Sequence, residues 1–176
     1  GCFTGGMLLL AISLWSPLAA LAEHMFSAHM VVHEIMMAAA APLLVWARPW
    51  GAFAWALPAG VSRTLRPIAV LGGACAATLL QAVVIWLWHV PALFAATAES
   101  EALHILQHLS FIAAAVLFWQ AMDRLSGRRA GAGVGWLFFT SLHTGFLGAL
   151  LLLAPRLWFP AEGGFGLSPL EDQQLA

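Results

Sequence analysis

Five stretches of this 176-residue chain are apolar over about the 20 residues that crossing a bilayer takes. They run approximately from Phe3 to Ala22, Met25 to Ala47, Ile68 to His89, Leu103 to Met122 and Val134 to Ala154. None alternates with period two, and a lipid-facing segment satisfies its own backbone groups most simply as a helix. Proline and glycine punctuate the runs at Pro17, Pro49 with Gly51, Pro91, Gly127 and Pro155. The expected fold is all-α: a polytopic transmembrane helix bundle of about five spans, forming a single domain over residues 1–176. Composition excludes the soluble alternative, because only 9% of residues are charged, against roughly a quarter in soluble domains. With a formal net charge of −1 and no lysine, the chain lacks the basic stripe that nucleic acid requires. The lipid bilayer is the expected partner.

The chain begins at Gly1 and stops at EDQQLA, and it reads as a fragment of a longer multi-span protein. An Ala20-Leu21-Ala22 triplet resembles the end of a signal peptide. The segment has no positive leader, however, and four more apolar runs follow, so a first span is the expectation. Cys2 and Cys75 form no CxxC pair, which argues against a zinc ribbon or a dithiol centre. Cys75, inside an apolar run, reads as a small buried hydrophobe.

Arginines set the orientation. Arg48, Arg63 and Arg66 lie between the second and third runs, and Arg124, Arg128 and Arg129 between the fourth and fifth. Positive loops stay cytoplasmic, so the amino end is inside and residues 23–25 and 90–102 face the exterior. Tryptophans fall at matching levels: Trp46, Trp50, Trp119 and Trp136 on the inner side, Trp86, Trp88 and Trp158 on the outer.

Polar groups are costly in such a setting, yet the second run opens HMFSAHMVVHEIMM. With the orientation above, His24, His29, His33, His89, His104 and His108 all collect toward the outer face, from three runs. His143 alone lies near the middle of a span. His29 with His33, and His104 with His108, are spaced i, i+4, which on a helix puts both side chains on one face. Such pairs suit two nitrogens on one metal. Met25 and Met36 share roughly the stripe of His29 and His33, and imidazole with thioether favours copper, the thioether Cu(I) in particular. Glu34 is turned about 100° from His33; it is placed to support a ligand from behind or to meet a neighbouring helix. His24 and His89, at interfaces, need no ligand role, and histidines within spans also serve as interhelical hydrogen-bonding groups. Met37 and Met122 read as core filler.

Three separated motifs now resemble one family in the same order. They are SPLAALAEHMFSAHMVVHEIMMAAAAPLLVWARP, WLWHVPALFAATAESEALHILQHLSFIAAAVLFW and the ending GLSPLEDQQLA. All three are similar to the multi-span CtaG family of cytochrome c oxidase assembly factors, and the resemblance covers nearly the whole chain. It implies further spans on both sides, a place in the bacterial inner membrane, and a role in maturing haem-copper oxidases by supplying copper. The family's motif histidines correspond to His29, His33, His89, His104 and His108. One departure is Val32-His33-Glu34, where the family pattern implies a glutamine before the histidine and an apolar residue after it.

The expected function is thus a membrane assembly factor, not an enzyme. It would take copper from donors on the outer face and hand it to cytochrome c oxidase subunits. His29, His33, His104 and His108 are the expected ligands, with His24, Met25, Glu34, Met36 and His89 as accessories. The alternative is a b-type haem redox protein, with histidines of facing helices as axial ligands. A third reading has the histidines only tying helices together. The arginine asymmetry makes a direct prediction: reporter fusions after Arg66 and after Ala98 should report opposite sides of the membrane. The same side for both contradicts the span count.

Overall fold

The computed structural model describes residues 1–47, 73–125, 127–159 and 162–176. The features read at Arg48, Pro49, Trp50, Gly51, Arg63 and Arg66, and the start of the third run at Ile68, lie outside the described residues. The regular elements are all helices, with no strand among the described residues.

The first apolar run is not one helix. α1 (Cys2–Trp15) ends at Ser16 and α2 (Pro17–Ala22) begins directly after it. Pro17 forces Ser16 into an extended conformation, and the Ser16 hydroxyl accepts the Leu18 N–H at 3.1 Å, capping α2. The 14 residues of α1 reach only about 21 Å, less than the ~30 Å of a bilayer core. α3 (Phe26–Trp46) spans 21 residues, with a π-helical segment at Ile35–Ala40 in its middle.

The third run, as far as it is described, forms α4 (Ala74–Trp88), which ends at His89. Pro91 then starts α5 (Pro91–Glu99), bent 71° from α4, so the stretch expected as an exterior loop is largely helical. α6 (Glu101–Arg124) and α7 (Ala130–Leu152) match the fourth and fifth runs, and a short α8 (Pro169–Leu175) closes the described chain. Three helices (α3, α6, and α7 with the turn before it) are long and apolar enough to cross a membrane, and a fourth span follows if the bent α4–α5 pair counts as one. The expected five are therefore not reached among the described residues: Pro17 divides the first run, and the described part of the third, α4, has only 15 residues.

α6 lies at the centre of the packing, against α4 on one side and α3 on the other, while α1 covers the second half of α3. That last contact is close: a Cβ on Gly6 would sit 2.9 Å from Leu44 Cδ2. Ile85, Trp88, Phe111 and Leu147 form one core cluster, with Met37 packed against it. Phe118 and Met122 belong to a second. Met37 and Met122 thus fill apolar space, as their sequence context suggested. Leu79 and Val83 of α4, Leu106 and Leu109 of α6, and Val134, Phe138 and Leu142 of α7 are exposed, the surface a helix presents to lipid. Cys75 is exposed as well, a correction to its expected burial. It lies in the first turn of α4, which begins at Ala74.

Two tryptophan N–H groups tie the bundle together. Trp88 Nε1 donates to Ser110 Oγ at 2.7 Å, and Ser110 donates onward to the Gln107 carbonyl, joining α4 to α6. Trp119 Nε1 donates to the Met37 carbonyl at 2.9 Å, so a side chain of α6 satisfies a carbonyl in the π segment of α3.

The N-terminus of α3 is capped from 146 residues away in sequence. The fully buried Asp172 carboxylate accepts the Phe26 N–H at 2.6 Å and the Ser27 N–H at 3.3 Å, and the Ser27 hydroxyl as well. A carboxylate there also meets the positive end of the helix dipole. The neighbouring Gln173 accepts the Trp158 and Phe159 N–H groups and holds down the strap that leads out of α7. α8 itself carries a capping box between Ser168 and Glu171. The Ser168 N–H and hydroxyl, both donating to Glu171, hold its carboxyl below the usual carboxylate range. Replacing Asp172 by alanine strands buried donors, at a cost of about 1–3 kcal/mol. Asp172→Ala should therefore lower the melting temperature of the detergent-purified protein and expose residues 155–176 to protease. An unchanged melting curve and cleavage pattern would show that this cap does not hold the tail.

Candidate metal centre

Because α3 and α6 pack together, their two i, i+4 histidine pairs meet. The ring centroids of His29 and His33 are 4.4 Å apart, as are those of His104 and His108. Across the two helices, His29 lies 5.6 Å from His104 and 6.1 Å from His108. His33 lies 5.1 Å from His108. The Trp88–Ser110 bond fixes the rotation of α6 two residues beyond His108, and the Asp172 cap fixes α3 two residues before His29.

One ring nitrogen from each of His29, His104 and His108 falls within 4.8 Å of the others, a spacing that a single ion can bridge. His33 sits one turn deeper and is 2% exposed, its ring against Phe111 at 4.5 Å. Nε2 of His29, both nitrogens of His33, and Nε2 of His104 and of His108 are buried and have no hydrogen-bond partner among the described residues. A donor set of neutral imidazoles suits copper or zinc and gives little to magnesium or calcium, which favour oxygen.

The rings of His29, His104 and His108 open on a cavity of about 450 Å³, and His33 lies beneath them, outside its lining. Met25, Phe26 and Phe94 form part of its wall, and Glu23, Glu99 and Glu101 are also among its lining residues. Glu23 follows α2, Glu99 ends α5 and Glu101 starts α6, and all three are exposed where the cavity meets the surface. A cation approaching by this route passes negative groups first.

The remaining sequence candidates divide. Met25, immediately before α3, lines the cavity; its Sδ also lies against Gly164, where an added Cβ would come within 2.7 Å of it. His24 is exposed and pairs with Glu162 through Nδ1 at 3.0 Å, so it stands at the cavity mouth and not among the four rings. Met36 is buried in the π segment and does not line the cavity. Glu34 is exposed and faces a second groove with Met30, Val31 and Phe165, away from the histidine rings. His143 lies against Phe139 at 5.7 Å, on α7 and apart from the cluster.

His89, expected only as an accessory, contacts a residue that the sequence reading passed over. Its Nε2 is 3.3 Å from Met30 Sδ. Met30 is one of several methionines in an apolar run, and nothing in its spacing marked it. The dependence on Asp172 was equally hidden, since a cap supplied from α8 leaves no local signature at Phe26.

An all-helical chain with membrane-length apolar helices and four facing histidines in its interior defines a class: a membrane protein built around an imidazole-lined chamber. Within that class the chain belongs to the family of cytochrome c oxidase caa3 assembly factors (Caa3_CtaG), whose model matches residues 1–176, the whole chain. No curated protein and no solved structure matches it.

Proposed function

We propose that this assembly factor carries copper, as Cu(I), in the chamber formed by His29, His33, His104 and His108, and delivers it to cytochrome c oxidase subunits. The observation that carries the reading is the group of ring nitrogens on facing helices that are buried and have no protein hydrogen-bond partner among the described residues. A bound ion would relieve that cost. Copper is cargo here: the chain captures, holds and releases it, and no bond of a substrate has to be made or broken, so the protein is not an enzyme. The setting is the bacterial plasma (inner) membrane, crossed several times, with the chamber toward the outer face. There copper donors would load the ion past Glu23, Glu99 and Glu101, and Met25, in the cavity wall, is a passing soft contact on the way in and not a ligand of the held ion.

Ring contacts weigh against the haem b alternative. A macrocycle ligated by one histidine of α3 and one of α6 has to pass between those helices. That plane is filled by the contact of His33 with His108 and of His29 with His104.

Two outcomes test the proposal. His33→Ala and His108→Ala should each reduce Cu(I) retention by more than the 10- to 100-fold typical of residues behind the ligands, while His143→Ala keeps full loading. Metal content at equal expression, read beside oxidase activity and in competition with a Cu(I) chelator and with zinc, gives the answer. Full loading of the first two variants, loss in the third, or preference for zinc contradicts the reading. Replacing Glu23, Glu99 and Glu101 together by glutamine should slow copper uptake about tenfold at low salt and hardly at all at high salt. Stopped-flow uptake that is indifferent to both changes places the entrance elsewhere.

A further inference from the structure

We infer that His89 and Met30 form a second, two-donor copper site beside the histidine chamber, specific for a soft monovalent ion. This deepens the copper reading above and adds a ligand, Met30, and a place distinct from the four rings. The His89 ring is oriented by a 2.7 Å contact between Nδ1 and the Ile85 carbonyl. A carbonyl only accepts, so the proton is on Nδ1, and the neutral ring carries a bare lone pair on Nε2. That lone pair faces Met30 Sδ at 3.3 Å, and a thioether has no proton to give. Two acceptors thus point at each other without a hydrogen between them, an arrangement that a cation converts from repulsive to bonding.

The dimensions suit this. With bonds of about 2.0 Å to nitrogen and 2.3 Å to sulfur, two donors stand about 4.3 Å apart around a linear ion and about 3.3 Å apart when the angle closes to about 100°. The present 3.3 Å separation is a contact distance, short of the linear one. Methionine, with three rotatable bonds, needs to move by only about 1 Å to reach the linear one. His89 stands on a rigid corner, at the C-terminus of α4 where the helix dipole favours positive charge, with Pro91 starting the next helix.

The surroundings select the ion. Met30 belongs to a cluster with Phe26, Phe94, Leu151 and Phe159, and the His89 ring lies 6.4 Å from that of Phe159. These side chains bring no oxygen ligand for a hard cation, and an imidazole–thioether pair is too sparse for zinc, which takes four ligands. Cu(I) accepts it. Phe26 and Phe94 also wall the histidine cavity, while Met30 reaches the groove on the far side of α3. The pair therefore stands between the chamber and the surface of the bundle, as a station through which copper leaves the histidines.

The test uses the full chain, purified in detergent and loaded with Cu(I) under reducing conditions. Copper-to-protein ratio and copper X-ray absorption are read for the wild type, Met30→Leu, Met25→Leu and the double variant His33→Ala/His108→Ala. Leucine keeps the volume of methionine and removes its sulfur. The wild type should show a sulfur neighbour at about 2.3 Å, and Met30→Leu should lose both that neighbour and one copper equivalent. The double variant should keep the sulfur-ligated ion. A sulfur neighbour that survives Met30→Leu, or that disappears in Met25→Leu instead, overturns the second site, as does its absence from the wild type. Sulfur-ligated copper together with undiminished total loading in the double variant supports the second site and overturns only the chamber.

Discussion

A ring nitrogen taken out of water without a hydrogen-bond partner costs on the order of 1–3 kcal/mol. α3 and α6 press such atoms from four histidines into one chamber. The packing of these two helices is the contact on which the rest of the arrangement depends. It makes pairs that would be unremarkable on either helix alone into a donor set, and it leaves a debt that ordinary helix-to-helix hydrogen bonding does not discharge. A scaffold that used histidine only to join helices would pair these nitrogens with one another or with backbone carbonyls. Trp88 with Ser110 and Trp119 with the Met37 carbonyl are joined in that way. Thr78, Gln81, Gln107 and His143 also keep buried atoms without a partner among the described residues, singly and not as a facing set.

Several distant devices hold this contact in register. Asp172 fixes where α3 starts, Trp88 sets the rotation of α6, and the π segment after His33 is anchored by Trp119. Gly6 permits α1 to cover the second half of α3 closely. The result is a chamber on rigid elements with a mouth built from short ones. α2, α5 and the strap around Glu162 surround the opening, where His24 and Glu162 are joined by a hydrogen bond at the surface.

Much of this was legible before any coordinates. Periodicity and length placed the second, fourth and fifth runs within a few residues of α3, α6 and α7, because each is uninterrupted and apolar all round. The i, i+4 histidines stood out for the same reason: few polar groups enter such helices, so their spacing is easy to read. The breaks at Ser16-Pro17 and His89-Pro91 carried proline signals, yet run length alone had joined the first pair into a span and left the second as a loop. Glu34 and Met36 illustrate the limit of a stripe argument. Both lie near His33 in sequence, but Glu34 points to the other side of α3 and Met36 sinks into the π segment, whose wider turn shifts the facing. Met30 and Asp172 act through partners about 59 and 146 residues away, and no local pattern encodes a contact of that range.

Membership of the oxidase assembly family gives the chamber its context, and the proposed copper carriage requires release as well as binding. The most direct measurement follows isotopically labelled copper from the loaded, detergent-purified protein to copper-depleted cytochrome c oxidase, with a Cu(I) chelator present to intercept free ions. The account predicts that the oxidase gains labelled copper despite the chelator, and that a His29→Ala protein mixed with the same amount of copper transfers none. Transfer abolished by the chelator, or equal from the wild type and His29→Ala, would contradict it.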